Sequence, residues 1–427
     1  MIEMKDSGIE WIGVIPAHWE VKRLKDVCEV VCGATPKDNE SFWDGNIIWI
    51  SPADMPDFGE IQKGARTITE QGYKSCGTTL VPAGSIILST RAPIGKTNIA
   101  GRELCTNQGC KCLISRKLVM RFMMYCLRSK NEQLQALGRG TTFIELSTKD
   151  LSVFQVAIPP LAEQQAIADY LDKKTAEIDE QITALEKKSD AYQRLKRSLI
   201  SEVVTRGLNP TAELKDSGIE WIGEIPAHWV VKRLKDIADL GSGTTPKSSN
   251  EKYYDGTHPW LITGDVQNRL IERNENFITD LALADIPNLK LYPAKTVLLA
   301  MYGGGTIGNV GLMTYPAYIN QACCAMIPKS GIYEKYLFYY LRTKYSRIIS
   351  TGVGGTQINL SQNKIAAYPI AVPPFKEQQA IADYLDKKTA EIDGNISAIS
   401  SKIDAYKRLK QSLIDEVVTG KRRIERA

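Results

Sequence analysis

The run Ile94-Gly95-Lys96-Thr97, after the apolar stretch SIILST (85–90), resembles the end of a phosphate-cradling loop, G-x-x-x-x-G-K-[ST]. Such a loop aims backbone N–H groups and a lysine at phosphate oxygens from the N-terminus of a helix. Here the first glycine would have to be residue 90, which is Thr90, and no helix-forming sequence follows Lys96. Gly303 and Gly308 have the required spacing, but Asn309-Val310 stands where Lys and Ser/Thr are needed. Neither loop is complete, and nucleotide chemistry is not assigned. The tetrapeptide NPTA (209–212) lacks the second proline and the aromatic residue of a methyl-transferring N-P-P-aromatic loop. The chain has nine cysteines, no C-x-x-C pair and three histidines (His18, His228, His258). An odd number of cysteines, mostly inside apolar runs, fits reduced core thiols better than disulfides or a four-ligand zinc site. Repeated acids such as Asp54 and Asp265 suit hydrogen bonds to loop backbone. No catalytic residue, metal site or cofactor is therefore assigned, and we expect a protein that is not an enzyme.

Binding is the better-supported chemistry. The 427 residues carry a net charge of +5, with 43% apolar and 24% charged residues, which is the balance of an ordinary globular protein. No apolar run reaches the roughly 18–20 residues needed to cross a bilayer, and the N-terminus MIEMKDSGIEW has no apolar core, so a cytoplasmic protein without membrane contact is expected. The charge is uneven. Residues 16–157 hold 18 basic and 14 acidic side chains, residues 229–371 hold 15 and 10, and residues 158–208 hold 8 and 9. Positive charge thus gathers in two blocks, as a footprint for phosphate would.

The two blocks belong to a chain written twice. KDSGIEWIGVIPAHWEVKRLKD (5–26) returns as KDSGIEWIGEIPAHWVVKRLKD (215–236), differing at two of 22 positions. EQQAIADYLDKKTAEID (163–179) returns unchanged at 377–393, and AYQRLKRSLISEVVT (191–205) returns as AYKRLKQSLIDEVVT (405–419). The interiors share only islands: GATPK (33–37) with GTTPK (243–247), FWDG (42–45) with YYDG (253–256), Asn107-Gln108 with Asn320-Gln321, and TFIELS (142–147) with TQINLS (356–361). Shared flanks imply one job done twice, and divergent interiors imply two different ones.

The flanks predict long helices. Ile167, Leu171, Ile178, Ile182, Leu185, Tyr192 and Leu199 recur at intervals that keep one apolar stripe on one face. Ile381, Leu385, Ile392, Ile396, Ile399, Tyr406 and Leu413 repeat the pattern, with Ile403 added. Pro159-Pro160 and Pro373-Pro374 block earlier helix, and Gly207 and Gly420 are the expected stops. Some 45 residues at ~1.5 Å each would make a helix of roughly 65–70 Å. Its stripe needs a partner, and the sister helix is the natural one. Antiparallel pairing would bring the domains out at opposite ends, related by a pseudo-two-fold axis, parallel pairing would put both at the same end, and folding of each helix onto its own domain is a third arrangement. We expect the antiparallel pair. The interiors read as α/β: VPAGSIILST (81–90) and YPAKTVLLAMY (292–302) as strands, LVMRFMMYCLRSK (118–130) and YEKYLFYYLRTK (333–344) as helices apolar on one side.

Taken in order and twice over, G-x-T-P-K, W/Y-D-G, N-Q, T-x-I-x-L-S and P-P-x-x-E-Q-Q-A-I-A make the chain resemble the specificity subunits of type I restriction–modification enzymes across its length. The resemblance implies two α/β target-recognition domains and two spacer helices. The expected division is 1–157 for the N-terminal segment and first recognition domain, and 158–208 for the central spacer helix. Residues 209–371 would be a linker and the second recognition domain, and 372–427 the distal helix. It also implies a bipartite, asymmetric double-stranded DNA target, two methyltransferase subunits as partners and restriction subunits recruited for cleavage. Because the C-terminal helix lacks a following linker, the N-terminal KDSGIEWIG (5–13) would dock where one would have been, closing a pseudo-circle. Polar and basic loop residues are the DNA-binding candidates: Thr35, Lys37, Arg91 and Lys96 in the first copy, Thr245, Lys247, Tyr302, Asn309 and Gln357 in the second. Arg pairs bidentately with guanine and Asn or Gln with adenine, while Lys mostly meets phosphate. Trp11 and Trp221, in the shared flanks, suit docking better than base stacking. Two rivals stand beside this reading: a self-contained methyltransferase or nuclease with degenerate motifs, and an adaptor that binds only proteins through its coil.

Overall fold

The structure is a computed structural model that describes residues 3–91, 93–140, 144–303, 305–343, 347–348 and 360–424. The chain forms two compact units, and neither is contiguous: residues 1–186 join 401–427, and residues 187–400 form the other. Each long helix, Leu161–Arg206 and Phe375–Val418, contributes to both.

In the first unit a five-stranded sheet runs in the order Glu29–Cys32, Cys110–Ile114, Ile86–Ser89, Thr97–Ala100, Phe58–Ile61, antiparallel except for the last pair. All four residues of Ile86–Ser89 are buried, as a strand covered on both faces requires. A smaller sheet sets Trp43–Ile50 between Cys105–Thr106 and Arg66–Ile68. Its register shifts between Trp43 and Ile47, where Asp44 takes φ 59° and a Cβ on Gly45 would meet the Ile68 carbonyl. The W-D-G motif is therefore a backbone bulge. The second unit repeats both sheets, with Asp255 at φ 58° at the same bulge.

The helix Met120–Ser129 buries six consecutive residues, Phe122 to Leu127, and Glu334–Thr343 likewise buries Tyr336 to Leu341. The one-sided pattern expected of these helices is thus exceeded. Residues from both lie in cores shared with the central sheet strands and the long-helix segments of their own unit. Tyr125 Oη donates to Asp172 Oδ1 at 2.9 Å and Tyr339 Oη to Asp386 Oδ1 at 2.6 Å, so each short helix is bonded to the long helix that follows it. Burial pushes both phenols up, which keeps them as O–H donors at neutral pH.

Within the first unit the two long-helix segments run antiparallel. Asp179 meets Lys410 at 2.6 Å, while Ala166 and Ile167 lie in one cleft with Val417 and Gly420. Within the second, Lys196 meets Asp393 at 2.6 Å, and a Cβ on Gly207 would lie 3.0 Å from Glu377. Of the expected stripe, Ile167, Leu171, Ile178, Ile182, Ile381, Leu385, Ile392, Ile399 and Leu413 are buried, whereas Leu185, Leu199 and Ile396 are half-buried. Toward each C-terminus the buried line moves to Ile200, Val203 and Val204, and to Ile414, Val417 and Val418. A period of 3.6 drifts off a seven-residue repeat, and over this length the drift changes which residues face inward.

The repeated flanks are latches. Trp19 and Trp229 are fully buried. Trp19 Nε1 donates to Glu163 Oε1 at 3.2 Å, and His18 and His228 meet Glu163 and Glu377 at 2.9 and 2.8 Å. Gly207 and Gly420, at φ 76° and 71°, end the helices as expected. A Cβ on Gly420 would press on Pro16 and Trp19, and one on Gly207 would lie 3.2 Å from Trp229. The N-terminal segment therefore docks on the end of the C-terminal helix, as its repeat docks on the end of the first. Trp11 stacks on Phe154 at 5.8 Å, and Trp221 packs at a tilt on Tyr368 at 4.9 Å, which is docking.

Gln378, wholly buried, accepts from Tyr333 N at 2.8 Å and donates to the carbonyls of Gly331 and Pro373 at 3.0 and 2.9 Å. Gln378→Leu is expected to destabilise the second unit by about 2–4 kcal/mol, since it strands buried backbone groups without removing volume. A thermal unfolding midpoint within a degree of wild type would contradict this.

Candidate nucleic-acid interface

In each unit the motif loops meet through backbone hydrogen bonds. Ala34 N donates to Thr106 O at 2.9 Å, Asn107 N to Ile50 O at 2.8 Å, Thr90 N to Gly109 O at 2.8 Å and Leu146 N to Thr90 O at 2.9 Å. The second unit reproduces the set with Thr244 to Ile319, Asn320 to Leu261, Met301 to Ala322 and Leu360 to Met301, at 2.7–3.1 Å. The G-x-T-P-K loop, the N-Q loop, the loop after the central strand and the L-S step are thus one cluster. Gly33 opens it because a Cβ there would strike the carbonyls of Thr106 and Asn107. Ser147 and Ser361 close it as N-caps, accepting from Asp150 N and Lys364 N.

Upon this frame Thr35 is exposed and donates Oγ1 to Gln108 Oε1, linking the first loop to the second. Lys37 and Lys247 are exposed on the same loop of each unit, and Thr245 is half-buried. Arg91 is half-exposed and lies against Glu145, with Nε and Nη2 each 3.0 Å from Oε2. Lys96 turns away from the cluster, donating to the Met55 carbonyl at 2.9 Å with Asp57 at 4.0 Å. In the second unit Tyr302 is 37% exposed, and half-buried Asn309 accepts from Asn268 Nδ2 at 2.9 Å. Gln357 lies outside the described residues. The structure ties Thr35 to Gln108 of the N-Q loop and Arg91 to Glu145, leaves Lys37 exposed, and ties Lys96 and Asn309 to neighbours.

The acids do what their positions suggested. Asp54 accepts from Ser51 N, Ser51 Oγ and Ala65 N at 2.7–2.9 Å. Burial raises its pKa, and those hydrogen bonds more than offset that, leaving it below the usual carboxylate range. Asp265 accepts from Ile262 N at 2.8 Å, and burial wins there, so its pKa is raised. Burial also lifts the thiols of Cys28, Cys105, Cys112 and Cys324 to about 12, which keeps them protonated and poor as nucleophiles or metal ligands. Among the described residues no group of three or more His, Cys, Asp or Glu side chains could hold a metal ion, and no helix is long and apolar enough to cross a membrane.

Several features escaped sequence reasoning. The Arg66 guanidinium lies 3.3 Å over the Trp43 ring. Lys111 is buried beside Glu145, 34 residues away in sequence. Nothing in local spacing signals either: strand pairing brings Arg66 to Trp43, and the segment that follows the helices brings Glu145 to Lys111.

Residues 16–187 and 226–403 match the family model described as the type I restriction modification DNA specificity domain. The chain belongs to that family. It is 29% identical over 433 residues, 99% of this chain and 97% of the relative, to the type I restriction enzyme MjaIX specificity subunit of Methanocaldococcus jannaschii. It is 21% identical, over 96% and 90% of the two chains, to the EcoKI specificity subunit of Escherichia coli K12. The fold is shared with a solved chain from a study of complex assembly and conformational transition of the type I R-M system, at TM-score 0.76 and 18% identity over 95% and 98% of the two chains. The HsdS subunit of Thermoanaerobacter tengcongensis aligns at TM-score 0.55 and 19% identity over the same shares. The two matched segments fall one in each repeat. As specificity subunits, members of this family are non-catalytic.

Proposed function

We propose that this chain reads DNA for a type I restriction–modification complex, each unit binding one half of a bipartite, asymmetric double-stranded target. The same chain would scaffold two methyltransferase subunits and, with them, the restriction subunits. The observation that carries this reading is a backbone frame repeated bond for bond with different side chains upon it: Arg91 in one unit and Tyr302 in the other. A frame kept constant beneath unlike side chains is what reading two unlike sequences with one fold requires. Lys37 and Lys247, exposed at matching places, suit phosphate, which positions without specifying. Thr35, Arg91, Thr245 and Tyr302, with Lys96, Asn309 and Gln357 as further candidates, would supply base contacts. Mapping methylated positions in DNA from cells that express this chain with its methyltransferase tests the proposal. A two-part motif is expected, and methylation without sequence preference would overturn it.

The flanks predict stoichiometry. Because residues 163–179 and 377–393 are identical in sequence, a partner that recognises one surface meets it twice. One chain should bind two methyltransferase subunits, as native mass measurement would report. A one-to-one complex that persists in excess partner would contradict this.

A further inference from the structure

Lys111 stands on Cys110–Ile114, the second strand of the first unit's five-stranded sheet, between Glu29–Cys32 and Ile86–Ser89, and its side chain is only 4% exposed. Its ammonium donates to the Leu146 carbonyl at 2.8 Å, to Thr90 Oγ1 at 3.3 Å and to Glu145 Oε1 at 3.4 Å. An ammonium taken out of water needs such partners to remain charged. The second oxygen of the same carboxylate, Oε2, holds Arg91 through Nε and Nη2. The result is a row of three charges: a buried cation, a carboxylate, and a cation that is 43% exposed.

The fold does not require this row. Ser89 pairs with Cys110 as Ala300 pairs with Cys323, and Leu146 N bonds Thr90 O as Leu360 N bonds Met301 O. These equivalences set Tyr302 at the place of Arg91 and buried Cys324 at the place of Lys111. The second unit builds the same sheet with a neutral thiol where the first buries an ammonium. A buried charge that the architecture can do without, aimed through one carboxylate at a loop arginine, is better explained by what it does to the arginine.

Resting on the proposed function, we infer that Arg91 is the guanine-reading residue of the first unit and that Glu145 and Lys111 are its positioning residues. Glu145 occupies the Nε–Nη2 edge of the guanidinium, and Lys111 stops the carboxylate from following Arg91 as it moves. The remaining Nη1–Nη2 edge is the planar fork that matches N7 and O6 of guanine in the major groove. Held beforehand, it gives up less freedom on binding. Tyr302 offers one hydroxyl and no fork, so the second half-site is read by other chemistry.

The test is the methylation motif written by the whole complex with three forms of the chain: wild type, Arg91→Ala, and the double variant Lys111→Met with Glu145→Gln. The double variant removes both charges of the buried pair together, so neither is left unpartnered. Arg91→Ala should relax one G·C pair in one half of the motif, with discrimination falling roughly tenfold to hundredfold. Every other position should hold. The double variant keeps Arg91 and should relax the same pair by a smaller factor, with a thermal midpoint near wild type. A motif from Arg91→Ala as strict as wild type at every base overturns the assignment alone, as does a uniform loss of methylation across all sequences. A double variant as strict as wild type removes the positioning role. A wild-type complex with no sequence-confined methylation overturns the reading of the subunit, and this assignment with it.

Discussion

Replacing residues 27–157 with the matching interior of another member of the family is expected to exchange one half of the methylated motif and leave the other half unchanged. The segment contains every strand of the five-stranded and three-stranded sheets of the first unit, and it carries Thr35, Lys37, Arg91 and Lys96. It ends before Gln164 and Glu163, which bond Val119 N and Trp19 Nε1, so the latch to the long helix is kept if the donor has the same motif. Specific contacts to the lost half-site would disappear altogether. With each mismatched base pair costing about 1–3 kcal/mol, three altered positions suffice to remove the old half-motif from the map. Mapping methylation genome-wide on the exchanged chain decides the matter. If both halves changed together, the units would not be independent readers.

Much of this arrangement is legible in the sequence. The repeat, the helix starts after paired prolines and the glycine stops are local signals with local causes, and all stand where expected. Two of the loop candidates, Lys96 and Asn309, are hydrogen-bonded to residues 41 positions away, contacts that local spacing does not signal. The motifs that identify the family are mostly structural. W-D-G is a bulge, Gly33 permits a backbone approach, Ser147 is a cap, and Gln164 bonds Pro159 O and Val119 N. A motif states that a residue is needed and not why, and here the need is a hydrogen bond or a missing Cβ.

Packing was the least legible. Lys111 reads as a stray charge in an apolar strand, because its carboxylate lies beyond two helices, Met120–Ser129 and Asn131–Ala136. The drift of the buried stripe to Val203 and Val204 depends on which neighbours wait at the helix ends, and those neighbours are Trp229 and Ile225 of the following flank. The sequence repeat runs from flank to helix end. The compact unit instead takes the start of one long helix and the end of the other, and no linear scan of the chain divides it there.

That division carries the second large effect. Deleting residues 401–427 should unfold the unit at the opposite end of the sequence and spare the one it adjoins. Leu413, Ile414, Val417 and Val418 are all buried in the core that holds Ile15, Trp19, Phe122, Ile167 and Leu171. Each such side chain contributes about 1.5–3 kcal/mol by burial, and a whole domain is stable by only about 5–15 kcal/mol, so losing all four leaves little. The deletion also removes Asp415 from Lys130, a lysine whose side chain is 12% exposed, and Lys410 from Asp179. The second unit keeps every element it uses, because its share of the distal helix ends at Ser400. Amide hydrogen exchange reads both units in one sample. Strands Ile86–Ser89 and Cys110–Ile114 should lose protection, while Val297–Ala300 and Cys323–Pro328 should keep it. Loss confined to the second unit, or protection retained in both, would show that the C-terminal residues are not part of the first unit's core.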